Sequence, residues 1–346
     1  MPITPVDVHL LLPGLYCLRE IGDSFIQPLR TLRLPALQRL ARAASCRYTA
    51  ETHPETLLLT LFGLPPQTAP APYRRQGEAA VTKEAWHGLC ADPVYVHLLR
   101  KNALLNTLPA QTLTLEEAQT FATVLTQHFA PDEPDFVQVE VSTPQRWYIR
   151  TARADHTCFE FPDDQLGSPL RPLSVHGDKA RQWQRFISEV QMLLHNHPLN
   201  TQRLARGEMP VNSLWLWGGG EAAPVPPTMP AAQVMAEDVL TRGLTAAAGG
   251  IAQPLSIDNV TRNTLIVLDP LRQPMLQRDN NAWLAALQQL EQQWFQPLLT
   301  RLHRGHWRSL RISAPGDGGM AVLDIRRRDL LLRWGRASLP LFYRSE

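Results

Sequence analysis

Four short strand-like runs, each followed within a few residues by proline or glycine, constrain this chain more than any other feature. They are residues 6–12 before Pro13-Gly14, 213–217 before Gly218-Gly219-Gly220, 264–268 before Asp269-Pro270, and 309–313 before Ala314-Pro315-Gly316. Runs of this kind read as strands buried in a sheet and stopped by a turn. Helical patterns alternate with them. Residues 34–44 bring Leu37, Leu40 and Ala41 to one face behind Pro35, which suits a first helical turn. Residues 231–248 are helical in composition and stop at Gly249-Gly250, and residues 283–302 read as a long helix bent at Pro297. The alternation predicts an α/β fold in which the four runs share one mainly parallel sheet with helices on both faces. Residues 320–325 and 330–334 predict an antiparallel hairpin at its edge.

One block interrupts this order. After a proline-rich crossing at 68–73, Thr114-Leu115-Glu116-Glu117 has the form of a capping box ahead of Ala118, Ala122, Leu125 and Phe129 at helical spacing. Residues 136–141 and 147–150 read as short alternating strands, and Trp183, Phe186, Ile187, Val190 and Leu194 mark a second amphipathic helix. The expected division is therefore a core of 1–73 and 201–346 with an inserted α+β lobe of 74–200. A chain of 346 residues accommodates both.

Composition removes several classes of function. Lysine and arginine number 34 against 32 aspartates and glutamates, a net charge of +2 that nominates neither nucleic acid nor an anionic membrane as partner. Cys17, Cys46, Cys90 and Cys158 form no C-x-x-C pair and are expected to be reduced thiols. No run reaches the roughly 18 apolar residues of a membrane span, and the amino terminus lacks a signal-peptide pattern, so the expected location is the cytoplasm.

The segment His197-Pro198-Leu199-Asn200, Arg203, Gly207, Pro210-Val211-Asn212 and Trp217-Gly218-Gly219-Gly220 resembles a signature of archaeal-type cofactor-independent phosphoglycerate mutases, members of the alkaline phosphatase superfamily. Residues 34–43, 52–65, 112–125, 145–150 and 236–250 resemble other stretches of the same family, in the same order. The run from Pro210 to Gly220 is also similar to that of bacterial phosphoglycerate-mutase-like and Rpf-type regulatory proteins. The resemblance implies an alkaline-phosphatase-like core and, for active members, two divalent metals on Asp and His ligands beside a Ser or Thr nucleophile.

Those catalytic positions are altered. The resemblance implies Asp-Gly after the first strand, where Pro13-Gly14 stands; a serine near Pro54-Glu55-Thr56, leaving Thr56 as a displaced hydroxyl; and histidines after Asp269 and beside Asp317, where Gln273 and Gly318 fall. Asp269 and Asp317 are thus vestigial metal candidates, and neither a metal, a cofactor nor a catalytic residue is expected. Asn200, Arg203, Asn212, Trp217, Gly218, Gly219 and Gly220 remain as a candidate ligand-binding set, suited to a small anion in a cleft beside the lobe. The competing reading gives Arg203 and the two asparagines a structural role in buried hydrogen bonds. His195 and His197 read as helix-terminus groups, His303 and His306 as a solvated helix end, and Arg326-Arg327-Arg328 as a solvated turn. Three functions follow: a non-catalytic binding or regulatory protein with an anionic ligand or protein partner, a metal-dependent phosphotransferase or hydrolase rearranged around Asp269, Asp317 and His303 or His306, and a structural subunit.

Overall fold

The computed structural model describes residues 6–16, 32–50, 53–78, 86–98, 100, 103–109, 111–155, 157–166, 175–220, 223, 225–316 and 319–332. The strands, in chain order, are β1 (Val6–Leu11), β2 (Ser45–Thr49), β3 (Gly88–Leu98), β4 (Ala103–Thr107), β5 (Phe136–Thr143), β6 (Arg146–Thr151), β7 (Cys158–Phe159), β8 (Val175–His176), β9 (Ser213–Gly220), β10 (Gln233–Ala236), β11 (Thr264–Val267), β12 (Trp307–Gly316) and β13 (Gly319–Arg326). They divide between two compact units, one of Met1–Pro66 with Pro227–Glu346 and one of Gln67–Pro226.

The first unit holds a six-stranded sheet in the order β10-β11-β1-β12-β13-β2. Its first four strands are parallel, with Leu10 opposite both Ile266 and Ile312, and β13 and β2 close it antiparallel. The mainly parallel sheet expected from the sequence is therefore present. Strand β1 alternates instead of being apolar throughout. Val6, Val8 and Leu10 enter the main core, whereas Asp7 accepts hydrogen bonds from Arg308 and Ser309, and His9 Nε2 lies 2.9 Å from Ser313 Oγ. The helix Pro35–Ala43 buries Ala36, Leu37, Leu40, Ala41 and Ala43. No local side chain caps it; the N–H groups of Ala36 and Leu37 donate to Glu291 Oε1 and Oε2 at 2.7 and 3.0 Å, so a buried carboxylate from a distant helix supplies the negative charge at its positive end. Glu291 opens a π-helical turn, Glu291–Phe295, between the helices Asn280–Leu290 and Gln296–Arg304. The irregularity expected at Pro297 thus takes the form of a widened turn just before it.

In the second unit, β3 is the spine of a five-stranded antiparallel sheet, pairing β9 along 88–94, β6 at 88–90 and β4 at 94–98, with β5 outside β6. Leu89, Ala91, Trp147, Ile149, Leu214 and Leu216 face one core, with Phe121, Leu125, Phe129 from helix Leu115–Phe129 and Trp183, Phe186, Val190 from helix Ala180–His195.

Four expectations are corrected here. Residues 213–217 lie in the same sheet as 136–141, not beside β1 and β11. Their run is continuously apolar because Leu214 and Leu216 enter the helix-covered core while Trp215 and Trp217 are buried on the opposite face. Two-sided burial leaves the same pattern in a parallel central strand and in this antiparallel one. The second unit consequently runs from Gln67 to Pro226, taking in 201–226, which the division at 74 and 200 had assigned to the core. Residues 231–248 begin with strand β10, and the helix covers only Val239–Ala247, capped by Asp238. The partner of β13 in its hairpin is β12, while 327–332 are helical. Among the described residues no helix is long and apolar enough to cross a membrane.

Candidate functional site

The signature residues of the second unit form a hydrogen-bonded knot. Asn200, buried in helix Pro198–Ala205, donates from Nδ2 to Leu194 O and Val211 O, both at 2.7 Å, and accepts from Val211 N at 2.9 Å. Asn212 pairs with both backbone groups of Val96, accepting from N at 2.7 Å and donating to O at 2.9 Å, so its amide continues the β9–β3 ladder. Arg203 has no exposed surface; Nε donates to Met209 O at 3.0 Å, and Nη1 to Thr112 O at 2.9 Å and Glu117 Oε2 at 2.6 Å. Glu117 also closes the expected capping box with Thr114. His197 acts as the N-cap of the next helix, its Nδ1 accepting from Leu199 N at 3.2 Å. The amide atoms of both asparagines and three of the Arg203 contacts are thus committed to the chain's own groups.

Trp217 belongs to a different cluster. Its Nε1 donates to Asp92 Oδ2 at 2.9 Å, and the Arg74 guanidinium, bonded to Asp92 at 3.1 Å, lies 5.1 Å from the Trp217 ring and 5.2 Å from the Tyr148 ring. Tyr148 donates to Glu78 at 2.9 Å, which also receives two hydrogen bonds from Arg146. Burial drives the Tyr148 hydroxyl far above its ordinary range, so the phenol stays protonated and donating. The glycines after Trp217 permit close packing. Gly218 has φ +64° and a Cβ there would lie 2.9 Å from Pro70, while one at Gly220 would lie 2.7 Å from Ala69. Of the candidate set, the structure brings Asn200 and Arg203 together, ties Asn212 to β3, and sets Trp217 and the glycines against the 69–74 segment and β3.

In the first unit, the carboxyl ends of the parallel strands are where an open α/β sheet offers a ligand site. Gly14, which follows Pro13 where the resemblance implies Asp-Gly, has φ +82°, and a Cβ on it would meet the Leu271 carbonyl carbon at 2.7 Å. A Cβ on Gly316 would fall 1.5 Å from Tyr16 O. Main chain therefore packs closely against both glycines.

Beside it lies a buried polar set that the sequence reading missed. Glu55, second residue of helix Pro54–Leu61, accepts from Arg272 Nη2 at 2.6 Å. Burial pushes the Glu55 carboxyl up, but the charge and hydrogen bond of Arg272 outweigh it and hold the group below its ordinary value. Asp238 Oδ1 accepts from Thr241 N at 2.8 Å, and burial followed by the charge of Glu55 raises its pKa against the opposing Thr241 hydrogen bonds. An acid in a first helical turn is the only local signal of Glu55; Arg272 stands 217 residues away. Asp317 lies outside the described residues. Among the described residues no group of three or more His, Cys, Asp or Glu side chains is placed to hold a metal, so the described residues do not by themselves make up the two-metal centre that the resemblance implies. His303 and His306 belong to no such group.

No protein-family profile matches the chain. It is 24% identical over 207 residues to a probable 2,3-bisphosphoglycerate-independent phosphoglycerate mutase of Geobacter sulfurreducens, covering 58% of this chain and 51% of that protein. A 65-residue stretch is 35% identical to the 2,3-bisphosphoglycerate-independent phosphoglycerate mutase of Methanothrix thermoacetophila, covering 19% of this chain and 17% of that one. The chain thus spans about half the length of the first relative and a smaller share of the second. In fold it is similar to the PH0037 protein from Pyrococcus horikoshii, with a TM-score of 0.54, 13% identity, and coverage of 94% of this chain and 88% of that one. Stretches of the chain are thus similar in sequence, at low identity, to 2,3-bisphosphoglycerate-independent phosphoglycerate mutases, and the chain as a whole has a phosphoglycerate-mutase-like α/β character.

Proposed function

We propose that the protein is a catalytically degenerate phosphoglycerate-mutase-like protein that acts by binding, in a regulatory role, and does not move a phosphoryl group. The observation that carries this reading is the Arg272–Glu55 ion pair at the start of helix Pro54–Leu61. Near there the resemblance implies a nucleophilic serine; the chain has Thr56 as a displaced hydroxyl and, beside it, the Glu55 carboxylate paired with its own guanidinium. Phosphoryl transfer needs a nucleophile and positive charge free to stabilise the transferring group, and a closed internal pair supplies neither.

The partner is proposed to be a protein, because the polar groups that the sequence nominated for an anion are largely occupied within the chain. The test is interconversion of 3- and 2-phosphoglycerate by the purified full chain with manganese supplied. No turnover is expected; turnover carried by the protein overturns the proposal.

A further inference from the structure

In the second unit, the start of β5, the end of β6 and the first turns of helix Ala180–His195 line a pocket of about 320 Å³ that opens to solvent. Its apolar lining is aromatic: Phe136, Trp183 and Phe186 are all buried, with the Phe186 ring centroid 5.8 Å from that of Phe136 and 5.3 Å from that of Trp183. Three carboxylates, Glu133, Asp135 and Asp155, share the lining with one ammonium, that of Lys179. Asp155 is buried and fully engaged. Its Oδ1 accepts from Thr157 N and Oγ1 at 2.9 and 2.6 Å, and its Oδ2 from Trp183 Nε1 at 2.7 Å, with Lys179 Nζ at 3.9 Å. Asp135 accepts from Lys179 Nζ at 2.7 Å, and the exposed Arg153 lies 3.6 Å from its other oxygen. Glu133 accepts only from a neutral donor, Gln182 Nε2 at 2.7 Å, and forms no ion pair among the described residues, while Arg185 on the neighbouring helix is paired with Glu189. A pocket of this size is at the small end for a ligand site and suits one short chain. Aromatic rings accept methylenes and a cation, and a carboxylate without a cation disfavours an anion.

We propose that this pocket binds an aliphatic chain ending in a cationic nitrogen, its methylenes against the aromatic rings and its charge at Glu133 and Asp135. The chain is either a free small amine or a lysine side chain carried on another protein. Lys179 competes for Asp135 and yields it when the ligand binds. Only the protein-borne form rests on the protein partner proposed above; binding of a free amine stands or fails independently of it.

The experiment measures dissociation constants by ligand-observed NMR, on the full chain at fixed pH and ionic strength, for n-butylamine, Nα-acetyl-lysine methylamide, n-butanol and butyrate. Saturable binding of butylamine is expected, with butanol weaker and butyrate absent. In Glu133→Gln/Asp135→Asn the amine should bind about fivefold more weakly, the scale of exposed ion pairs. Binding of the lysine derivative as well assigns the site to a protein-borne side chain, and binding of butylamine alone assigns it to a small amine. No saturable binding of either amine, equal binding of butanol or butyrate, or unchanged amine binding in the double variant overturns the proposal. If the double variant does not fold, Lys179→Ala reads the same question: removal of the competing ammonium should tighten amine binding about fivefold. Unchanged or weaker binding there overturns the proposal.

Discussion

Arg203 and Glu117 form a buried ion pair, Nη1 to Oε2 at 2.6 Å, in which the same glutamate closes the capping box of helix Leu115–Phe129 and receives Arg206 on its other oxygen. The pair joins the signature segment to the start of a helix 86 residues earlier in the chain. Its consequence is structural: Arg203 ties its own helix and Met209 O, six residues on, to the distant segment 112–117 through Thr112 O and Glu117.

Arg203→Ala is therefore expected to destabilise the protein by about 3 kcal/mol, because it removes a fully buried side chain and leaves two carbonyls and one oxygen of the part-buried Glu117 without their donor. Arg206→Ala removes a solvent-exposed partner of the same Glu117 and is expected to leave the urea midpoint close to that of the wild type. Urea denaturation of both variants checks the contrast. Equal, small effects would remove the structural reading of Arg203.

Adding a carboxylate at Gly14, next to the position where the resemblance implies one, is expected to destabilise the protein. Gly14→Asp places a side chain at φ +82° against Leu271 main chain, with 2.7 Å to its carbonyl carbon, and the combined strain and overlap should cost about 3 kcal/mol. The variant should melt below the wild type whether or not manganese is added. A Gly14→Asp protein stabilised by manganese would contradict the packing described at this position.

Stability is expected to fall in mild acid through His9. Burial, reinforced by the Arg311 charge and opposed by Asp324, pushes its pKa to about 4 from an ordinary 6.5. The unfolded chain then binds the proton first as pH drops below about 6.5, so stability is full above that pH and is lost progressively toward pH 4. The expected loss between pH 7 and pH 5 is about 2 kcal/mol. Urea unfolding at the two pH values checks it, and His9→Gln should flatten the difference; an unchanged pH dependence in that variant would assign the loss elsewhere.

Local grammar carried much of the fold. The Thr114–Glu117 box, Pro35 at a helix start and the runs at β1, β11 and β12 are legible because capping, proline geometry and burial act over a few residues. Strand β9 was misplaced because its apolar run records burial on both faces and not which sheet buries it. Residues 233–236 were hidden in an alanine-rich helical composition, although Val234 and Met235 are core strand residues. The candidate site was less legible. The residue types at Asn200 and Arg203 suit an anion as well as a backbone knot, and only their partners, Val211, Thr112 and Glu117, distinguish the two. Glu55 and Arg272 meet through tertiary structure alone.

The central claim is that a phosphoglycerate-mutase-like fold here carries no mutase chemistry. The most direct measurement follows 3-phosphoglycerate by phosphorus NMR with stoichiometric full-length protein and added manganese, beside Glu55→Gln and Asp269→Ala. The account predicts that no 2-phosphoglycerate or inorganic phosphate forms above the protein-free control in any sample. Turnover by the wild type that is lost in Glu55→Gln or Asp269→Ala would contradict it.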